Sequence, residues 1–227
     1  MDDELKVKPL EKGIFIVFEG IDGSGKTTQA KRLVDAFLLH GIDAVFTREP
    51  TDGEWGKKIR TIAARGREHV SLEEELDWFH KDREEHVRNE VLPALAAGKV
   101  VVCDRYYYST MAYQGALGAD PAEIRRMNEE KHRFPKPDLV IIIEVEPWQG
   151  LERIEKGRAG GANAGYEKSD FLKKVKEIFD GLRDGNIMRT PGMGCQRAIN
   201  KQVAGIVRER FGIDLSGAGT VDIGCPD

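Results

Sequence analysis

The stretch Gly20-Ile21-Asp22-Gly23-Ser24-Gly25-Lys26-Thr27 constrains the fold more than any other part of the 227-residue chain. It fits G-x-x-x-x-G-K-S/T and follows an apolar run, Ile14 to Phe18. After it, Ala30, Leu33, Val34, Phe37 and Leu38 recur at i, i+3, i+4, i+7 and i+8, the spacing of an amphipathic helix that Gly41 would end. Strand, glycine-rich turn and helix in that order make a phosphate loop. The glycines let backbone N–H groups converge on phosphate oxygens at the positive end of the helix, Lys26 adds a charge, and Thr27 is placed to hold Mg²⁺.

Further runs, Val100 to Cys103 and Leu139 to Ile143, are apolar without alternation, as strands buried on both faces of a parallel sheet must be. Ala44 to Thr47 makes a weaker fourth strand. Ser71 with Glu74 forms a capping box, and Leu72, Leu76, Phe79, Arg83, Val87 and Val91 mark one face of a long helix expected to end around Pro93. Shorter helices are expected over Pro121 to His132, Trp148 to Lys156, Lys168 to Leu182 and Gln196 to Phe211. Alternating strands and helices predict an α/β fold, an open parallel sheet with helices on both faces. With 40% apolar and 33% charged residues, 1–212 reads as one compact unit. The Gly- and Ala-rich 157–165 suits a flexible lid, about 153–167, and 213–227 reads as a disordered tail.

The formal charge of -4 gives no general attraction to nucleic acid or anionic membrane, so any polyanion site must be local. The longest apolar runs are five residues, against about twenty needed to span a bilayer. Nothing near Met1 reads as a targeting signal. Cys103, Cys195 and Cys225 are three and form no C-x-x-C pair, which argues against a disulfide framework or zinc ribbon and favours a reducing cytoplasm. The histidines have no metal-ligand spacing, and Glu73-Glu74-Glu75 reads as a solvated helix face.

A phosphate loop alone says only that a nucleotide binds. The nearest string to the N-K-x-D of a GTPase, Asn200-Lys201-Gln202-Val203, lacks the final Asp, and the GTPase reading is set aside. Phosphoryl transfer between two polyanions needs cations around the transferred oxygens and little covalent help. Lys26, Arg48, Arg105 and Arg158 are the candidates. Arg48 and Arg105 each follow the carboxyl end of an expected strand, where open α/β sheets place their ligands.

Besides FEGIDGSGKTTQ at 18–29, three strings stand in order: Thr47-Arg48-Glu49-Pro50; Asp104-Arg105-Tyr106 followed by Ser109-Thr110-Met111-Ala112-Tyr113-Gln114-Gly115; and Pro137-Asp138-Leu139. Together they resemble the thymidylate kinase family, P-loop kinases that pass the γ-phosphate of ATP to dTMP. The similarity runs from about Ile14 to Leu182. It implies the P-loop NTP hydrolase fold of nucleotide kinase type, Mg²⁺ with ATP as donor, dTMP as acceptor for DNA precursor synthesis, and a homodimer, with no nucleic acid or membrane partner.

Carried over residue by residue, the resemblance implies that Gly20 to Thr27 bind ATP and that Thr27 and Asp104 serve Mg²⁺, the latter through water. Arg48 looks like the acceptor-phosphate arginine, and Arg105 like the one that meets that phosphate near the transferred group. Asp22 resembles the acid that holds the acceptor sugar and steadies the arginine. Phe79 resembles the residue on which thymine stacks, with Arg83 one turn later meeting its carbonyl. Tyr113 and Gln114 look like neighbours of the deoxyribose and base, on a loop supported by Ser109; Tyr106 to Tyr108 read mainly as packing. Some relatives carry an arginine inside the phosphate loop where this chain has Gly23 and Ser24, so the missing charge is expected from Arg158, with Arg153 or Lys156 as alternatives. Thr51-Asp52-Gly53 replaces the Gly-Gly-Thr of many relatives. A kinase for another nucleoside monophosphate or a deoxynucleoside, or an ATP-binding sensor without catalysis, is the remaining alternative.

Overall fold

A computed structural model of the chain describes residues 8–67, 69–157 and 169–216. Among the described residues five strands form one wholly parallel sheet: β1 (Ile14–Glu19), β2 (Ala44–Arg48), β3 (Val100–Asp104), β4 (Leu139–Glu144) and β5 (Ile187–Pro191), in the spatial order β2-β3-β1-β4-β5. Four of these are the apolar runs legible in the sequence, and β5 is additional. Alternate residues of β1 feed two different cores. Phe15 and Val17 pack on one face with Val101, Tyr106 to Tyr108, Leu172 and Phe179, while Ile16 and Phe18 pack on the other with Leu33, Phe37, Val203 and Val207. Each such fully buried side chain contributes about 1.5–3 kcal/mol by leaving water.

The strand order places the site. From β1 the chain passes through α1 (Lys26–Leu39) to β2 at one edge, whereas from β3 it passes through the helix that begins at Tyr107 to β4 on the other side. Helix α1 lies on the Phe18 face and α5 (Tyr107–Ala116) on the Phe15 face. The loops after β1 and β3 therefore part to opposite faces, which opens a crevice at the carboxyl edge. Polar residues end the strands there: Glu19, Arg48, Asp104 and Glu144, with Phe18 and Arg48 each in register with Asp104.

Between β2 and β3 run α2 (Glu54–Arg65), α3 (Leu72–His86) and α4 (Leu92–Ala96). Ser71 Oγ accepts from Glu74 N–H at 3.1 Å, as the capping box requires. The long helix does not end around Pro93 as expected. A π-helical turn, Val87–Val91, in which Leu92 N–H reaches the Val87 carbonyl, leads into α4, whose first turn takes Pro93 because no N–H is needed there. A second π turn, Met127–Lys131, extends α6 (Pro121–Arg126). Helices α7 (Pro147–Gly157), α8 (Ser169–Gly181) and α9 (Gln196–Phe211) complete the layers.

Three expectations need correction. Ser109 to Gln114 lie on α5, not on a loop; the helix is buried on nearly all sides, so it carries no amphipathic period. Glu75 is no solvated residue but fully buried. Cys195 is disulfide-bonded, while Cys103 is a buried thiol that burial holds well above its ordinary pKa. Arg158 and most of the expected lid and tail lie outside the described residues. Of the rest of the tail, Leu215 is buried against the α1–α9 core.

Candidate active site

Two connected hollows open at the carboxyl edge. A cleft of about 940 Å³ is walled by Asp22 to Gln29, Arg48, Asp104, Arg105, Arg153 and Gln196. A narrower cavity of about 160 Å³ lies between Ile59, Phe79, Arg83, Thr110, Tyr113 and Gln114. Asp22, Glu49, Pro50, Arg60 and Arg105 line both and form the passage between them.

The phosphate loop folds as its glycines predict. Gly23 has φ +77°, and a Cβ there would stand 2.2 Å from the carbonyl oxygen of Gly150 on α7; a Cβ on Gly150 would in turn stand 2.4 Å from the Asp22 carbonyl. Loop and helix thus touch through two bare backbones. Gly25, at φ 98°, caps α1 without a side-chain bond, which leaves the first N–H groups of the helix for a ligand. Lys26 Nζ bonds the Ile21 carbonyl at 2.8 Å, and burial followed by the nearby Arg105 pulls its ammonium down to about 8. Gly20 and Ile21 stand behind the cleft wall; Ile21 packs in the core.

Arg105 takes up a left-handed backbone, φ 72°, costly for a residue with a Cβ and kept here by its surroundings. Its N–H bonds the Phe18 carbonyl at 2.9 Å, and its guanidinium binds Asp22 Oδ1, bonds Ser109 Oγ at 3.1 Å and lies 5.0 Å over the Tyr113 ring. Tyr113 OH donates to Asp22 Oδ2 and accepts from Asp22 N–H, both at 3.0 Å. Burial, then the Asp22 carboxylate, raises the Tyr113 phenol, so it stays a donor. Beneath this group Glu19 accepts from the N–H groups of Tyr106 and Ser109 at the start of α5 and from Ser109 Oγ. Burial outweighs those bonds and lifts its carboxyl to about 7.

Thr27 Oγ1 donates to Asp104 Oδ2 in a short hydrogen bond, while Asp104 Oδ1 is buried without a partner. An unsatisfied carboxylate oxygen beside a hydroxyl and a phosphate loop is a hard-oxygen donor set. Among the described residues no three His, Cys, Asp or Glu side chains could hold a metal by themselves. Arg48, half exposed, pairs with Asp52 at 2.9 Å. Arg153, on α7, donates to the carbonyls of Gly23 (3.2 Å) and Gly192 (2.8 Å).

Arg83 is fully buried on the floor of the narrow cavity. It donates from Nε and Nη2 to Glu49 Oε2 (2.9 and 2.7 Å), from Nη2 to Thr110 Oγ1 (3.0 Å) and from Nη1 to Asn128 Oδ1 (2.7 Å). Four of its five N–H bonds are thereby placed, and one on Nη1 remains. Burial alone would raise the Glu49 carboxyl, but Arg83 and then His86 outweigh it and hold it below the ordinary range. His86 spans Glu49 Oε1 (2.9 Å) and Thr47 Oγ1 (2.6 Å).

Sequence reasoning missed Glu49, Arg60, Thr110 and Asn128. Arg60 donates to the carbonyls of Pro50 (2.9 Å) and Thr51 (2.5 Å). It sits on α2, whose buried Ile59 and Ile62 give a visible helical spacing. Asn128 lies in a π turn and no local signal marks it.

The thymidylate kinase family profile matches residues 18–192. The chain belongs to the thymidylate kinase family. A thymidylate kinase of Desulfotalea psychrophila is 44% identical over 170 residues, 75% of this chain and 82% of that protein. Probable thymidylate kinases of Archaeoglobus fulgidus (45% over 166 residues, 73% and 80%) and Pyrococcus horikoshii (47% over 148 residues, 63% and 71%) are similar. The parallel sheet and phosphate loop are those of this kinase family, and among the described residues no helix is long and apolar enough to cross a membrane.

Proposed function

We propose that this thymidylate kinase family member transfers the γ-phosphate of ATP to dTMP, giving ADP and dTDP for dTTP synthesis. One observation carries the reading: a phosphate-loop cleft and a cavity lined by Phe79, Tyr106 and Tyr113 meet at Asp22 and Arg105, an arrangement that suits two nucleotides end to end with their phosphates at the junction. In the transfer an oxygen of the dTMP phosphate bonds the γ-phosphorus as the bond to the β,γ-bridging oxygen breaks, and ADP leaves with that electron pair.

The chain's part is positioning and charge. Backbone N–H groups of Gly23 to Thr27 and Lys26 hold the donor phosphates; a polyanion arriving there favours the ammonium form of Lys26. Arg48 and Arg105 receive the acceptor phosphate, and Asp22 keeps Arg105 and Tyr113 in place while facing the acceptor sugar. Thr27 and Asp104 fit Mg²⁺, which when bound with ATP neutralises charge on the transferred oxygens. Arg158 is proposed from the sequence as the further cation, with Arg153 its described alternative.

Phe79 gives the thymine ring a flat face. Arg83 offers its remaining N–H, and Gln114 Oε1, buried without a partner, offers an acceptor. A donor beside an acceptor matches the O4 and N3–H of thymine and mismatches the amino group and bare N3 of cytosine. The Tyr113 ring, held by Asp22, takes the space of a 2′-hydroxyl. The same family reading proposes a homodimer working in the cytoplasm and 1–212 as the kinase unit.

A coupled ADP-release assay across dTMP, dUMP, UMP, dCMP, dGMP and thymidine tests the reading. The highest kcat/KM is expected for dTMP, with UMP far lower; turnover of thymidine alone, or of none, overturns it.

A further inference from the structure

Gln114 offers Oε1 to the base only if its amide is held in one of two orientations, and an amide by itself prefers neither. The residue that chooses is Glu75, on α3. Its side chain is fully buried, Gln114 Nε2 donates to its Oε1 at 3.1 Å, and Arg67 pairs with its Oε2. A carboxylate has acceptors alone. With Glu75 on one side, Gln114 must spend its NH₂ there and turn its oxygen the other way, where it is buried without a partner at the wall of the base cavity.

We propose that Glu75 is a specificity-determining positioning residue: through Gln114 it makes this wall of the cavity an acceptor, and so selects a base carrying an N–H, thymine or uracil, over cytosine. Glu75 touches no substrate. The inference rests on the assignment of the narrow cavity to the dTMP base, and it adds a prediction that this assignment does not make.

Glu75→Gln tests it, because Arg67 decides how the new amide lies. Arg67 can only donate, so it takes the oxygen of that amide, whose NH₂ then faces Gln114. Gln114 answers with its own oxygen and turns its NH₂ into the cavity, where it opposes the N3–H of thymine and suits the bare N3 of cytosine. The ratio of kcat/KM for dTMP to that for dCMP is expected to fall about tenfold or more, the discrimination carried by one oriented hydrogen-bond pair. The KM for ATP should stay as it was. Adding Gln114→Glu restores an acceptor on both sides of position 114, and the double variant should recover the preference for dTMP.

A lower kcat/KM for both substrates with an unchanged ratio would make Glu75 merely structural and overturn the proposal. If Glu75→Gln fails to fold, the double variant carries the test alone: preference for dTMP supports the proposal, and indifference between dTMP and dCMP overturns it. Failure of the underlying assignment looks different, since the unaltered protein would then itself take dCMP as readily as dTMP.

Discussion

Gly150→Ala sets a general rule against this particular structure. In the middle of a helix, replacing Gly by Ala gains about 1 kcal/mol, since alanine loses less backbone freedom on folding. Gly150 is in α7, yet its added Cβ would stand 2.4 Å from the Asp22 carbonyl oxygen, more than half an ångström inside the 3.0 Å that real Cβ contacts keep. The obstacle is backbone and cannot rotate away. Overpacking of this kind costs about 1–3 kcal/mol, so the net change runs from neutral to a loss of about 2 kcal/mol. At about 2–4 °C per kcal/mol for a chain of this size, melting should fall by up to about 8 °C. Activity should suffer more, because Asp22 carries Arg105 and Tyr113, and a displacement approaching 1 Å costs about a hundredfold in rate. Gly205→Ala is the control. It lies inside α9 with nothing within 4 Å of its new Cβ, and should raise melting by about 2–4 °C with kcat unchanged. Thermal melts and steady-state kinetics of both variants decide the matter. If Gly150→Ala melted higher than the parent and kept its kcat, the contact between α7 and the phosphate loop would not be tight, and the reasoning would fail.

Three further outcomes are expected. With Lys26 lowered to about 8 by burial and Arg105, the free protein holds it largely neutral above that pH; its stabilising contribution is full above the unfolded value of 10.5 and is lost as pH falls through 8. ATP binding should accordingly take up close to one proton at pH 9 and almost none below pH 7, read by calorimetry in buffers of different ionisation enthalpy; no uptake at pH 9 would contradict the assignment. Glu49→Gln removes the carboxylate that answers buried Arg83, so it should cost about 3–5 kcal/mol and raise the KM for dTMP without raising that for ATP. A chemical-denaturation midpoint equal to the parent's would refute that. Asp104→Asn should raise the Mg²⁺ concentration giving half-maximal rate, and an unchanged Mg²⁺ titration would remove Asp104 from the metal site.

What could be read from the sequence followed from burial on both sides. The runs that became β1, β3 and β4 are apolar throughout because a central parallel strand meets helices on each face, and the phosphate loop declares itself through its glycines. Strand β5 escaped because it closes the edge of the sheet: Arg189 and Pro191 interrupt its pattern, and a strand with one free side tolerates both. Helix α5 escaped for the opposite reason, being buried on so many sides that no stripe survives. Glu75 was hidden among three consecutive acids, although Glu75, Phe79 and Arg83 stand at i, i+4 and i+8 and so share one face of α3. Residues that hold Arg83 from outside the helix, Glu49, Thr110 and Asn128, meet only in three dimensions, and one of them depends on a π turn that no simple period announces.

Burial also separates cations that are committed from cations that are available. Arg83 is fully buried and Arg105 half-buried, and each is tied to a carboxylate, so a ligand meets them where they already stand. Arg48 differs: its pair with Asp52 is 51% and 74% exposed, and Arg60 shares the same carboxylate at 3.1 Å. Exposed pairs of this kind are worth up to about 1 kcal/mol, which an arriving phosphate can replace. On the proposed reading, Asp52 therefore competes with the acceptor phosphate for Arg48 at the mouth of the cleft. Asp52→Ala should leave melting within about 2 °C of the parent and lower the KM for dTMP by as much as about fivefold, the affinity equivalent of that 1 kcal/mol. The effect should shrink as salt is raised from about 0.05 to about 0.5 M, because screening weakens the competing pair in the parent protein. A KM for dTMP that rises in Asp52→Ala would mean that Asp52 holds Arg48 in its working position instead of withholding it, and the division between committed and available charge would have to be redrawn.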